Sequence, residues 1–476
     1  MKILFAASEA APFLKSGGLG DVLEALPPAL AATRGTEVAV ILPLYGKIKN
    51  DVSLGLSFVT SFTMSSPLSE SYVGIFTKKQ GRVTYYFIDN EYYFCRGGAP
   101  YGHGDDGARY AFFSNAILAS LPHIDYYPDI IHLNDWQTAT LPVYLKAFYA
   151  HLSAYQSIRT VFTIHNIEYQ GYMPQSFPAE AMGLPYEYHD VMRYGDCANF
   201  MKAAIELSDR VTTVSRTYAR ELEYAYFSHG LDPIIRKNKE KLSGIVNGIN
   251  TKLFDPATDK ALPAHFSCED LSGKAICKQE LQKELGLPVR ADVPVIAMIS
   301  RLVSHKGLEL VECVLEDILQ RDVQLIVLGT GEGKYEELFR FAEYTHPDKM
   351  KAEIRFDSAL ASRIYAGCDL FLMPSKSEPC GLSQLIAMRY GAIPIVRETG
   401  GLFDTVPALD VENLTGRGFT FQSYNAHHML DAIDRAIAFY GDKEKLACLK
   451  KQLLSLDLSW KVSAKEYLTI YKSLLT

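Results

Sequence analysis

The residues best suited to chemistry in this chain are cations and carboxylates placed just after short apolar runs. In "SRLVSHKG" (300–307), Arg301 and Lys306 follow the run "VPVIAMIS" (293–300). Two fixed cations there suit a pyrophosphate, whose spread negative charge is best held by fixed positive groups. A solvated loop leading into a helix is the plain alternative, and the pair of cations brings the two readings near parity. In "SKSEPCGLSQLIAMRYG" (375–391), Glu378 is followed by Pro379, Cys380, Gly381 and Leu382 and then by a helical pattern. A helix start offers backbone N–H groups and the positive end of a dipole to an anion. Glu378 beside it cannot bind the anion, but a carboxylate there fits sugar hydroxyls; its structural alternative is an N-cap. "RETGGLFDTV" (397–406) repeats the device: Thr399, Gly400 and Gly401 bring bare backbone close to a ligand, or form an ordinary turn.

The first half carries a second group. "PFLKSGGLGD" (12–21) looks like a phosphate-binding glycine loop, but Lys15 precedes Gly17 and Gly18 and no Gly-Lys-Ser/Thr follows. "TIHNIEYQG" places His165 after an apolar run, and a lone histidine is more often structural than catalytic. "LNDWQ" sets Asp135 beside Trp136, a pair suited to stacking on a sugar, although Trp136 suits a core equally well. "LGTGEG" (328–333) is one residue short of a dinucleotide fingerprint. There is no Walker lysine, no Gly-x-Ser-x-Gly elbow and no Asp-x-Asp after a strand; "GDDG" (104–107) lacks that context. Neither a metal nor a cofactor is expected.

These residues need strands to carry them. "KILFAAS", "EVAVILP", "DIIHLN" (129–134), "RTVFTIHN" (159–166) and "RVTTVS" (210–215) read as buried strands, with the helix "LGDVLEALPPALAA" after the first. The second half repeats the grammar with strands at 293–300, "VQLIVLG" (323–329), "EIRF" (353–356), "DLFLMPS" (369–375) and "AIPIVRE" (392–398). Strand–loop–helix units build parallel sheets, and ligands bind at the carboxyl ends of such strands. The fold expected is α/β: two Rossmann-like doubly wound domains, 1–245 and 246–456, facing across a deep cleft. The segment 457–476 reads as a helix, from the spacing of Trp460, Tyr467, Leu468, Tyr471 and Leu475.

Composition narrows the class. The 476 residues are 48% hydrophobic and 22% charged, which suits a globular chain of more than one domain. A formal net charge of −7 and no Lys/Arg block disfavour nucleic acid. No run approaches a membrane span or a secretory signal, so no membrane partner is expected. Eight scattered cysteines with no Cys-x-x-Cys suit a reducing cytoplasm. A homo-oligomer is left open.

In order, "KSGGLGDV", "HNIEYQG", "VNGI", "SRLVSHKG", "EPCGLSQL" and "TGGLFDTV" resemble the motifs of the bacterial glycogen synthase and plant starch synthase family. These are retaining glycosyltransferases of the two-Rossmann (GT-B) type. The resemblance runs from the first strand beyond residue 406, and it implies that the C-terminal helix crosses back to the N-terminal domain. It implies a glucan-binding first domain and a nucleotide-sugar-binding second domain. The implied reaction moves glucose from ADP-glucose to the nonreducing end of glycogen or another α-1,4-glucan. Arg301 and Lys306 would then hold the diphosphate, with Lys15, Gly17 and Gly18 meeting it from the other domain. Glu378, Cys380, Gly381, Leu382, Thr399, Gly400 and Gly401 would surround the sugar and phosphate. His165 and Asn247 would contact the glucosyl unit, Asp21 would lie near the donor, and Phe356 would stack on the base. Asp135 and Trp136 would serve the acceptor. Gln137, Phe254, His305 and Phe356 depart from the usual family residues, and none of these removes a charged group. Three rivals stand: a UDP-glucose or other-acceptor transferase, a dead transferase fold that binds glucan, and a nicotinamide dehydrogenase. Intact Lys15, Arg301, Lys306 and Glu378 oppose the second, and the poor glycine fingerprint opposes the third.

Overall fold

The computed structural model describes residues 1–65 and 70–476. The chain divides into two compact units, Met1–Asn247 with Trp460–Thr476, and Gly248–Ser459.

The first unit is built on a nine-stranded sheet. Its strands are β1 (Lys2–Ala6), β2 (Glu37–Pro43), β3 (Ser57–Ser65), β4 (Glu70–Gln80), β5 (Val83–Asp89), β6 (Ile130–Asn134), β7 (Arg159–Ile164), β11 (Arg210–Thr213) and β12 (Leu242–Gly244). Between them, β8 (Tyr172–Pro174), β9 (Arg193–Tyr194) and β10 (Cys197–Asn199) form a separate small sheet. The large sheet runs β12-β11-β7-β6-β1-β2-β5-β4-β3. All pairings from β12 to β5 are parallel; β4 and β3 add on antiparallel. Ile3, Leu4, Phe5, Ile130, Ile131, Val161 and Phe162 are fully buried, as strands covered on both faces must be. The hairpin β3–β4 lies outside the strands expected from sequence. Its Ser- and Thr-rich β3 is largely exposed, so it lacks the continuous apolar run of a buried strand.

The helix Lys461–Leu475 belongs to the first unit. Its Tyr471 hydroxyl meets His132 Nδ1 at 2.6 Å, and His132 Nε2 meets Thr163 Oγ1 at 2.5 Å. Burial pushes the His132 imidazole down to about 3, so it is neutral and serves as one donor and one acceptor. Ser463 Oγ donates to the Val246 carbonyl at 2.5 Å, tying the start of the same helix.

The second unit holds an all-parallel sheet of β13 (Val295–Ile299), β14 (Gln324–Leu328), β15 (Met350–Glu353), β16 (Leu370–Met373), β17 (Ile393–Arg397) and β18 (Phe419–Phe421). Its order, β15-β14-β13-β16-β17-β18, is that of a dinucleotide-binding fold. The third strand corrects the sequence expectation: it is Met350–Glu353, not 353–356. Arg355 lies beyond it between Glu353 and Asp357, and Asp357 caps the next helix, so the chain has turned by Phe356.

At the amino end of this sheet, Asp369 is buried between two ammonium groups. Lys278 Nζ and Lys450 Nζ donate to its two oxygens at 2.8 Å each. These cations hold the Asp369 carboxyl well below its ordinary range, against the upward push of burial. Removing one member of a buried ionic cluster strands the others and costs about 3–5 kcal/mol. Asp369→Ala is expected to lower the melting of the Gly248–Ser459 unit by that amount in calorimetry. A loss below about 1 kcal/mol would show that the two lysines find other partners.

Candidate active site

In the second unit the strand order reverses between β13 and β16, and the candidate residues lie just past the carboxyl ends of both. That is the place where open α/β sheets bind ligands. Arg301 follows β13; its guanidinium is exposed and forms no hydrogen bond or ion pair among the described residues. Lys306 lies in the single turn Ser304–Lys306, before the helix Leu308–Gln320. Its ammonium donates to Glu378 Oε2 at 2.7 Å, and Ser375 Oγ donates to the same oxygen at 3.0 Å. Glu378 Oε1 accepts no hydrogen bond from the described residues. The pair is sheltered, with side-chain exposures of 19% for Lys306 and 7% for Glu378. The result is one free cation, one cation held by a carboxylate, and one carboxylate oxygen left over.

The loop carrying Glu378 is braced by the next strand's loop. Gly401 N–H donates to the carbonyls of Glu378 at 3.0 Å and Pro379 at 3.2 Å. A Cβ on Gly400 would lie 2.0 Å from the Glu378 carbonyl oxygen, and one on Gly401 would lie 2.2 Å from that of Cys380. These glycines therefore allow backbone to touch backbone. The expectation that both offer N–H groups to a ligand needs correction at Gly401, whose N–H is already used. Thr399 and Cys380 are buried, and Gly381 takes a left-handed φ of 74°. Leu382 precedes the helix Ser383–Arg389 and no side chain caps that helix. Phe356 is 87% exposed, a flat face with no ring packed on it. The "LGTGEG" glycines are structural: Cβ atoms on Gly329 and Gly331 would strike the carbonyls of Ser300 and Leu302.

In the first unit the corresponding reversal is between β1 and β6. Glu9 follows β1 and is buried, although sequence gave no reason to single it out. Its Oε1 accepts from Gly17 N at 3.2 Å and Gly20 N at 3.0 Å; its Oε2 accepts from Ser16 N at 2.9 Å and from Ser16 Oγ. The expected Gly17 contact to a diphosphate is corrected, because its N–H is taken by Glu9. Gly18 begins the helix Gly18–Ala31, with open space beside it. The Lys15 stem lies on Gly20, where a Cβ would meet it at 3.0 Å, and Lys15 Nζ reaches Asp21 Oδ1 at 2.6 Å. Burial raises the Asp21 carboxyl and Lys15 opposes the rise.

After β6, Asp135 takes a left-handed φ of 56° and turns its carboxylate onto the next loop. Its Oδ1 accepts from His165 N at 2.7 Å and Asn166 N at 3.3 Å. Burial pushes Asp135 up to about 7, against the pull of those two N–H groups. His165 Nε2 lies 2.9 Å from Asn134 Oδ1, and Asn134 Nδ2 donates to the Ala6 and His132 carbonyls. Asn134 Oδ1 is thus an acceptor, His165 donates from Nε2, and Nδ1 keeps its lone pair. Burial holds His165 down at about 3, so it is neutral. Trp136 is half-buried: its ring meets Tyr110 edge-on at 5.3 Å and a Cβ on Gly171 would touch it at 2.7 Å. Asn247 is buried, and its Oδ1 has no hydrogen-bond partner among the described residues, which leaves it open to a ligand hydroxyl. Gln137 Oε1 is orphaned in the same way.

Two α/β units on largely parallel sheets, the second in dinucleotide-binding order, make a two-Rossmann fold, the fold class of GT-B glycosyltransferases. Residues 2–237 match the starch synthase catalytic domain model, and residues 280–452 match glycosyl transferases group 1. The chain is 46% identical over 477 residues to a glycogen synthase of Exiguobacterium sibiricum, covering 99% of each. It is 49% identical over 478 residues to a glycogen synthase of Streptococcus equi subsp. equi, covering 100% of each. Among solved structures, it matches the catalytic domain of starch synthase IV from Arabidopsis thaliana bound to ADP and acarbose. That match has a TM-score of 0.91 and 36% identity, covering 100% of this chain and 99% of the other. A sucrose-phosphate synthase from Thermosynechococcus elongatus shares the fold at 18% identity and a TM-score of 0.61, covering 99% and 98%. The chain belongs to the glycogen synthase and starch synthase family and is a glycosyltransferase.

The Asp135 carboxyl makes a signed prediction. Its pKa is raised by folding from the ordinary 3.8 to about 7. The stability it contributes is therefore full below about pH 4 and is lost as pH rises through 7. Asp135→Asn is expected to remove on the order of 1–2 kcal/mol of that fall between pH 5 and 8. Calorimetric melting at several pH values reads it, and identical pH profiles for variant and wild type would refute it.

Proposed function

We propose that the chain transfers glucose from ADP-glucose to the nonreducing end of an α-1,4-glucan, with retention, in cytoplasmic glycogen synthesis and without a metal. The observation that carries this reading is the trio of Arg301, Lys306 and Glu378 at the strand-order reversal of the second unit. The ADP and acarbose bound to the Arabidopsis starch synthase support the same reading, as ligands of a relative.

In this reading the second unit takes the donor. The exposed Arg301 meets the diphosphate first. Lys306 keeps Glu378 as partner until phosphate oxygens displace it, and then stabilises the charge that grows as the leaving group departs. Glu378 Oε1 accepts from glucose hydroxyls. Phe356 stacks on the base, and the backbone about Cys380–Leu382 and Thr399–Gly400 lines the sugar and phosphate. The first unit takes the glucan and supplies Lys15, Asp21, His165 and Asn247. Neutral His165 can accept a hydroxyl proton in a hydrogen bond at Nδ1, but its low pKa makes it a poor base. The acceptor proton therefore passes to the leaving phosphate oxygen, and the new bond forms on the face that the leaving group vacates.

Purified protein should extend glycogen with ADP-glucose in the presence of a chelator, and more slowly with UDP-glucose. No glucan extension with either donor would sink the reading, and faster use of UDP-glucose would reassign the donor. Lys306→Ala is expected to lower kcat by about 10²–10³, with glycogen affinity nearly unchanged. Equal loss of both would mark Lys306 as structural.

A further inference from the structure

The loop at residues 15–20 has the form of an anion site, and the chain fills it with its own side chain. Ser16 N–H, Ser16 Oγ, Gly17 N–H and Gly20 N–H all converge on Glu9. Tyr101 adds its hydroxyl to Glu9 Oε2 at 3.3 Å, and Ser8 Oγ lies 2.8 Å from that hydroxyl. Backbone N–H groups arranged this way ordinarily cradle phosphate. Here both carboxylate oxygens are bound, Glu9 is 2% exposed, and no room remains for a second anion.

We infer that Glu9 is a positioning residue: its carboxylate fills the anion position of the 15–20 loop and thereby fixes Lys15 for the transfer reaction. The link is steric. The Lys15 stem runs over Gly20 at contact distance, and the place of Gly20 is set by its N–H bond to Glu9. Releasing that bond frees the surface on which Lys15 lies. Gly17 and Gly20 then give no N–H group to the donor, and this loop meets the diphosphate through the Lys15 ammonium. The inference rests on the proposed transfer reaction, since it assigns Lys15 a part in it.

The test combines kinetics with amide exchange. Glu9→Ala is expected to lower kcat/KM for ADP-glucose by about 10²-fold, the scale of a small misplacement of a catalytic group. Sodium formate at about 50 mM, small enough to occupy the emptied cradle, is expected to recover at least about tenfold of that loss by the same positional argument. It should recover nothing in Lys15→Ala, and sodium chloride of equal ionic strength should recover nothing in either. Glu9→Gln keeps one acceptor oxygen and turns a donor toward Ser16, so a smaller loss is expected; it carries the test if Glu9→Ala does not fold. A folded Glu9→Ala within threefold of wild type, or one deaf to formate, overturns the inference. Exchange of the Ser16, Gly17 and Gly20 amides, followed by NMR, needs no turnover. In Glu9→Gln the Ser16 amide, which then faces a donor, should exchange faster than in wild type, and unchanged Ser16 exchange also overturns the inference. A wild type that fails to use ADP-glucose would instead refute the proposed reaction, whatever the exchange shows.

Discussion

The site of the second unit depends on one close approach of backbone to backbone. The 399–401 segment touches the 378–380 segment, and the Gly401 N–H is bonded into the carbonyls of Glu378 and Pro379. No side chain fits between them. Because of this contact Glu378 is held from behind, its carboxylate projects forward to Lys306, and the helix after Leu382 begins where it does. The motifs that look separate in the sequence, "EPCGLSQL" and "TGGLFDTV", form one piece of scaffolding.

The two units handle their lysines alike but with different strength. Lys15 rests on Asp21 and Lys306 on Glu378, at 2.6 and 2.7 Å. Lys15 is 43% exposed, so water screens its pair and exchange of partner costs little. Lys306 is far more sheltered, and its charge acts through less screening. A sheltered ammonium with a ready counter-ion costs less to hold in place than a bare one. Arg301 has no such partner among the described residues and its guanidinium is exposed.

Much of this was legible in the sequence. Apolar runs placed β1, β2, β6, β7, β13, β14, β16 and β17 within a residue or two, because strands buried on both faces must be continuously apolar. The hairpin β3–β4 escaped, since its exposed, hydroxyl-rich face has no such run. Phe356 drew "EIRF" into a strand by its apolarity, although its exposure suits a ligand face better. Arg301 and Lys306 stood out as a pair of cations after a buried strand, a pattern a solvated loop explains about as well, and Glu378 stood out as an acid at a helix start, where an N-cap was the alternative. Glu9 did not stand out, because a single acid before a glycine loop has no distinguishing spacing; its role is visible only from the five donors that turn toward it. Trp136 was two-sided from the start, since an aromatic next to an acid looks the same in sequence whether it faces a sugar or a core, and in the structure its ring is half-buried.

The helix Lys461–Leu475 closes the first unit from the far end of the chain, with Tyr471 bonded to His132 and the whole of Gly248–Ser459 lying between in sequence. The second unit is thus an insertion, and its two ends are clasped by the pairing of Ile249 with Ser459. On the ribosome this imposes an order. The inserted unit has its full sequence before the helix Lys461–Leu475 is made, and His132 waits for Tyr471 until that helix emerges. A nascent or truncated chain lacking that helix leaves His132 without its Tyr471 partner and uncovers the face of the first unit on which Tyr467 and Tyr471 pack, while the second unit can already be complete. Quality control that reads exposed apolar surface would recognise such a chain by its first unit, although the missing residues follow the whole of the second.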